Sequence, residues 1–212
     1  MQLQSLWSGF TNEQYDYITN IIKNSDAKSV CELGTFVGTT AKHIWENIKN
    51  SGKKLYLVDN YLFLPEDKRQ KFFATVKHSI DKNTQNIITI LQSSHEYNWT
   101  QHDFIFFGHH DADHMIPDLH TLSFSDVDYA IIGDGIPGCF QRTKAVHEFV
   151  ANLSGHGLRP QYYLNGLIVV GRKQLECTLP TKEDFFFGHK IKYMPKVKGK
   201  YLKALDELKR IH

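Results

Sequence analysis

Apolar positions along this chain fall into two repeating patterns. Short, nearly unbroken apolar runs recur at Val30–Leu33, Lys54–Val58, Ile87–Leu91, Asp103–Phe107 and Val127–Ile132. Each has the length and β-branched or aromatic content of a buried strand. Between them, apolar residues return every three or four positions, as on a helix face. Thr11 opens the first such stretch as an N-cap, with Gln14 in capping-box position and Tyr15, Ile18, Ile21 and Ile22 on one side. Thr39 to Asn50 forms the next, closed by Ser51-Gly52, and Pro65-Glu66-Asp67 starts another that runs to about Lys82. Gly138 leads into a helix that places Ala145, Val146, Phe149 and Val150 together. The chain then turns at Gly155-His156-Gly157 into two runs, Gln161–Leu164 and Leu167–Gly171, joined by Asn165-Gly166. Asn-Gly supplies the positive φ values of a type I′ hairpin turn.

Strands alternating with helices predict an α/β fold with a parallel sheet, and the final hairpin adds antiparallel strands at one side. The turn between the first strand and its helix, Glu32-Leu33-Gly34-Thr35-Phe36-Val37-Gly38, carries the first chemical signal. Glycine there lets the backbone take positive φ or lie close against a ligand, and the helix directs its free amides back at the turn. The spacing is E-x-G-x-x-x-G, whereas dinucleotide folds use G-x-G-x-x-G. It resembles motif I of the class I S-adenosylmethionine-dependent methyltransferases, which implies cofactor contacts from Glu32, Gly34, Thr35 and Gly38. The alternative is a structural turn without a ligand. Asp59, at the end of the second run, can accept both hydroxyls of a ribose; a helix N-cap or solvated loop acid is the other reading. The apolar loop Asn60–Leu64 then either covers a ligand or packs as core, and Phe10 and Gln14 border the same mouth unless Phe10 is core. By the same resemblance, Ser93 or Ser94 after the third run meets the adenine.

After the fourth run comes Gly108-His109-His110-Asp111-Ala112-Asp113-His114. Clustered histidines and aspartates can hold a divalent metal or supply a general base, or form a solvated polar loop. Ligands of open α/β sheets bind beyond the carboxyl ends of strands, which favours the first option. This stretch, with Asp134 after the fifth run and Gly138 before Ala145-Val146-His147-Glu148-Phe149, resembles the macrocin and sugar O-methyltransferases of methyltransferase family 24 over roughly residues 10–172. The resemblance implies a Rossmann-like three-layer sandwich with a seven-stranded, mostly parallel sheet of order 3-2-1-4-5-7-6 and an antiparallel C-terminal hairpin. It also implies S-adenosylmethionine as cofactor, a small-molecule or sugar acceptor, His110, Asp111, His114 and Asp134 as acceptor-side residues, and Asp111 and Asp134 as ligands to magnesium or manganese. Strand register places Gly108 where the family has its first metal aspartate. Sliding the loop aligns Asp111-Ala112-Asp113-His114 with the family's D-G-D-H instead. A protein that binds S-adenosylmethionine without turnover, or a nicotinamide-dependent oxidoreductase, are the rival functions.

Composition changes this picture little. The 212 residues, 41% hydrophobic and with net charge +2, fit one globular domain and give no overall electrostatic case for nucleic acid. The N-terminus has no signal-peptide pattern and no apolar run nears the roughly 20 residues of a membrane span. Cys31, Cys139 and Cys177 lack metal-like spacing, which suits a reducing cytoplasm, and a homo-oligomer is compatible with the whole. Residues 1–172 are expected to form the domain and 173–212 a basic extension, either an arm for an anionic partner or a solvated appendage.

Overall fold

A computed structural model describes residues 10–108, 112–133, 145–146, 148–149, 152–164 and 167–175. The described strands are β1 (Ser29–Leu33), β2 (Lys54–Val58), β3 (Ile87–Ile90), β4 (Phe104–Phe107), β5 (Tyr129–Gly133), β6 (Arg159–Leu164) and β7 (Leu167–Gly171), and the α-helices are α1 (Asn12–Asn24), α2 (Thr39–Ile48), α3 (Glu66–Ile80) and α4 (Ala112–Ser123). Strands pair in the order β3-β2-β1-β4-β5-β7-β6. Pairing is parallel from β3 to β5 and antiparallel for β7 with β5 and β6. Because β1 lies between β2 and β4, successive units leave it in opposite directions. A crevice therefore opens beyond the carboxyl ends of β1 and β4.

Alternating side chains sort the core into two layers. Val30, Leu55, Leu57, Phe104, Phe106 and Ile131 face Ile18, Ile22, Ala41, Ile44, Phe72 and Val76 of α1, α2 and α3. Cys31, Leu33, Ile105, Phe107 and Ile132 face Met115, Leu119 and Leu122 of α4, with Trp99 and Val146. Sheet between two covered faces explains why the strands read as continuous apolar runs.

Several local expectations hold. Thr11 Oγ1 accepts the Gln14 N–H at 3.2 Å while Gln14 Oε1 accepts the Thr11 N–H at 2.8 Å, the reciprocal capping box. Gln14 is thereby engaged at the helix start. Phe10 packs edge-on against Tyr15 and Phe106, as a core residue. Between β3 and β4 the chain crosses with only a 3₁₀ turn at Trp99–Gln101. Cys31 is buried and free, and burial pushes its thiol pKa well up, so it behaves as a small hydrophobe. Lys173 pairs with Asp128 and Asp26, and Leu175 is buried, so the chain still docks on the domain just past β7. Cys139, Cys177 and the extension beyond residue 175 lie outside the described residues. Among the described residues no helix is long and apolar enough to cross a membrane.

The polar run after β4 is where the structure departs from a loop. Asp113 and His114 stand in the first turn of α4. An acid there complements the helix dipole, while Pro117, inside the helix, cannot donate the backbone bond to Asp113 O that the helical ladder would otherwise have.

Candidate functional site

The glycine turn, the end of β2 and the end of β4 meet at the crevice. Gly34 and Gly38 take φ values of 84° and 75°, as a turn from strand to helix requires. Gly34 N–H donates to Val58 O at 2.9 Å, which pins the start of the turn to β2. Gly38 has a second reason to be glycine. A Cβ there would lie 2.8 Å from Val76 Cγ1 and 3.2 Å from Ile80 Cδ1, so its bare backbone lets α2 seat against α3.

Two residues at the site share glycine's conformation without being glycine: Phe36 at φ 51° and Tyr61 at φ 47°. Left-handed backbone in such residues costs of order 1–3 kcal/mol each and persists only where the surroundings enforce it. Asp59 does the enforcing. Its Oδ2 accepts the Phe36 N–H at 2.8 Å and its Oδ1 accepts the Tyr61 N–H at 2.8 Å. Each carboxylate oxygen thus holds one backbone N–H. The carboxylate is a loop acid that ties the β2 loop to the glycine turn.

Glu32 lies on β1 one residue before the turn's first strand-end leucine, and 1% of it is exposed. Burial pushes its pKa well up, and the nearby Asp59 charge adds to this. The Thr35 hydroxyl favours the carboxylate more weakly, without reaching hydrogen-bond geometry. Among the described residues Glu32 Oε2 and Thr35 Oγ1, both buried, have no hydrogen-bond partner. Unsatisfied buried groups of this kind are rare and call for a ligand or a solvent molecule. An acid, a hydroxyl and two glycines around one turn, with a doubly braced carboxylate opposite, fit a nucleoside carrying a cationic tail.

Beyond β3, Ser93 Oγ donates to Glu96 Oε2 at 3.0 Å, so its proton is committed. Ser94 Oγ is buried with no hydrogen-bond partner among the described residues. It opens on a groove of about 400 Å³ shared with His95, Trp99, Pro117 and Asp118. The His95 and His114 rings stack with centroids 4.8 Å apart, joining the loop after β3 to the start of α4. The structure thus gathers Glu32, Gly34, Thr35, Gly38 and Asp59 into one cluster. Ser94 and His114 flank the separate β3–α4 junction. His110, Asp111 and Asp134 lie outside the described residues.

The fold has relatives among solved structures. A methyltransferase from Podospora anserina bound to S-adenosylhomocysteine superposes with a TM-score of 0.56 at 14% identity, over 80% of this chain and 81% of that one. The fold is that of the class I methyltransferases. The O-methyltransferase from Bacillus cereus in complex with S-adenosylhomocysteine gives 0.53 at 13% identity, covering 79% and 84%. TrmK of M. capricolum, with the same cofactor product, gives 0.53 at 14%, covering 82% and 73%. No protein-family model matches the chain, and no curated protein matches it.

Sequence reasoning singled out Glu32, Gly34, Gly38 and Asp59, which the structure brings together at one turn, but missed the positive φ of Phe36 and Tyr61. It also missed what Gly108 does. Gly108 N–H donates to Leu33 O at 2.8 Å, and a Cβ would sit 3.0 Å from Gly34 O and 3.1 Å from Leu33 O. Both obstacles are backbone, so they yield little. Gly108→Ala is expected to lower stability by about 1–2 kcal/mol, or roughly 2–8 °C in Tm, and to weaken ligand binding by displacing the glycine turn. Calorimetric unfolding checks this, and an unchanged Tm would show that the two strand ends are not in tight contact.

Proposed function

We propose that this chain is an S-adenosylmethionine-dependent methyltransferase acting on a hydroxyl of a small molecule or sugar, as its resemblance to methyltransferase family 24 implies. The observation that carries the reading is the Asp59 carboxylate, held by two backbone N–H groups opposite a turn whose buried acid, Glu32, has an oxygen without a hydrogen-bond partner among the described residues. The O-methyltransferase fold of the Bacillus cereus neighbour supports it at the level of architecture.

When bound, S-adenosylmethionine supplies an electrophilic methyl group on a sulfonium. The chain's part is positioning. Asp59 would take the ribose hydroxyls, Gly34 and Thr35 would line the tail, Glu32 would accept from its ammonium, and Ser94, with Ser93, would meet the base. Gly38 sets the turn. On the acceptor side His110 or His114 would take the hydroxyl proton as the acceptor oxygen replaces sulfur on the methyl carbon, the C–S electron pair leaving with the thioether. Asp111 and Asp134 are the residues that would hold magnesium or manganese to orient the acceptor.

Gly108 favours one rival. In strand register it occupies the family's first metal position, and it has no room for a side chain. A protein that binds the cofactor and never turns it over accounts for this equally well. Calorimetric titration with S-adenosylhomocysteine, with NAD as control and with and without magnesium or manganese, tests the proposal. Binding of S-adenosylhomocysteine alone is expected. NAD binding in its place would overturn the methyltransferase reading, and cofactor binding with no methyl transfer to any hydroxyl acceptor screened would leave the rival standing.

A further inference from the structure

Glu32 is a carboxyl group set among apolar side chains. On β1 it stands in register with Leu57 of β2 and Phe106 of β4, both fully buried on the face that α1, α2 and α3 cover. The titratable groups near enough to act on it are Asp59 at the end of β2, Tyr61 in the loop beyond, and Cys31 beside it on β1. None of the three is a cation. Among the described residues only the Thr35 hydroxyl favours the ionised form of Glu32, and Glu32 Oε2 has no hydrogen-bond partner.

A charge buried in such surroundings costs far more than a neutral carboxyl, so the group keeps its proton. Burial first, and the Asp59 charge second, push its pKa well up. An ammonium brought to Oε2 reverses the balance, because an opposite charge within a few ångströms favours the carboxylate. From this arrangement we infer that Glu32 couples cofactor capture to the release of one proton, so that the site selects nucleosides with an ammonium-bearing tail and holds them more tightly as pH rises. The proton leaves to solvent, the carboxylate keeps the electron pair of the broken O–H bond, and the ligand's amino group stays protonated in the ion pair. The inference rests on the cofactor reading proposed above.

Titrating the wild type with S-adenosylhomocysteine in buffers of different ionisation enthalpy counts the protons released, and needs no variant. About one proton per ligand is expected near pH 6, with affinity rising by up to about tenfold per pH unit until Glu32 ionises in the ligand-free protein. Glu32→Gln is expected to lose this release, so the wild type's advantage narrows from roughly 10- to 100-fold near pH 8 to about parity near pH 5. The analogue of S-adenosylhomocysteine with hydrogen in place of the amino group is expected to bind the wild type more weakly and to release no proton. Binding of S-adenosylhomocysteine without proton release, or with equal release from wild type and Glu32→Gln, would overturn the inference and leave the cofactor proposal intact. Equal wild-type affinity for the two ligands near pH 8 would overturn the selection for an ammonium. Wild type that fails to bind S-adenosylhomocysteine at every pH would sink the cofactor proposal itself.

Discussion

Replacing Asp59 by alanine is expected to abolish measurable binding of S-adenosylhomocysteine and to destabilise the protein at the same time. Two N–H donors, those of Phe36 and Tyr61, lose a charged acceptor, and hydrogen bonds to charged groups are worth about 1.5–3 kcal/mol each. One gain offsets part of this, because the Asp59 charge disfavours ionisation of the buried Glu32, and its removal relieves that repulsion. A net loss on the order of 3 kcal/mol corresponds to a Tm roughly 6–12 °C lower. The proposed ribose contact would be lost in addition, for an expected fall in affinity of about 100-fold or more. Titration calorimetry and thermal unfolding on one preparation separate the two effects. Asp134→Ala, on the acceptor side, is expected to leave cofactor affinity intact. Lost binding with an unchanged Tm would mean that Asp59 faces the ligand without bracing the turn, and unchanged binding would remove it from the site.

That double role explains how much of the site could be read in advance. The acid after the second strand was visible because a run of Leu55, Leu57 and Val58 ends at Asp59, and chemistry at strand ends follows from sheet topology. The glycine turn was visible because Gly34 and Gly38 have few reasons to stand four apart between a strand and a helix. The capping box at Thr11 was equally plain. What stayed hidden depends on long-range contact. Tyr61 is an unexpected residue for left-handed backbone; the Asp59 side chain two residues before it and the α3 aromatics together impose that conformation. The loop of Asn60–Leu64 resolves the same way: Tyr61 and Leu64 are core, and Leu62 is exposed. The start of α4 was masked by His109 to His114, whose polar density reads as loop, and by Pro117, which ordinarily ends a helical pattern. Met115, Leu119 and Leu122 carry the helical spacing that could have revealed it.

Glu32→Gln is the variant in which stability and function are expected to move in opposite directions. Burial and the neighbouring Asp59 raise the folded-state pKa of Glu32 well above 4.5, its ordinary value. A group of that kind contributes stability in full below its unfolded pKa and loses it as pH rises through the folded one, because only the unfolded chain ionises freely in between. At pH 7–8 the wild type therefore carries a penalty that an uncharged amide of the same shape escapes. The variant is expected to be more stable there, on the order of 1–3 kcal/mol or a few degrees in Tm, with the gap closing as pH falls toward 4.5. Affinity for S-adenosylhomocysteine is expected to fall roughly 10- to 100-fold, since the amide cannot answer the ligand's ammonium with a charge. A buried acid that destabilises the free protein is retained where binding requires it. Thermal unfolding as a function of pH, paired with calorimetric titration, reads both signs. A variant destabilised at every pH would show that Glu32 is a structural partner, and one that binds as well as wild type would move the cofactor's cationic end elsewhere.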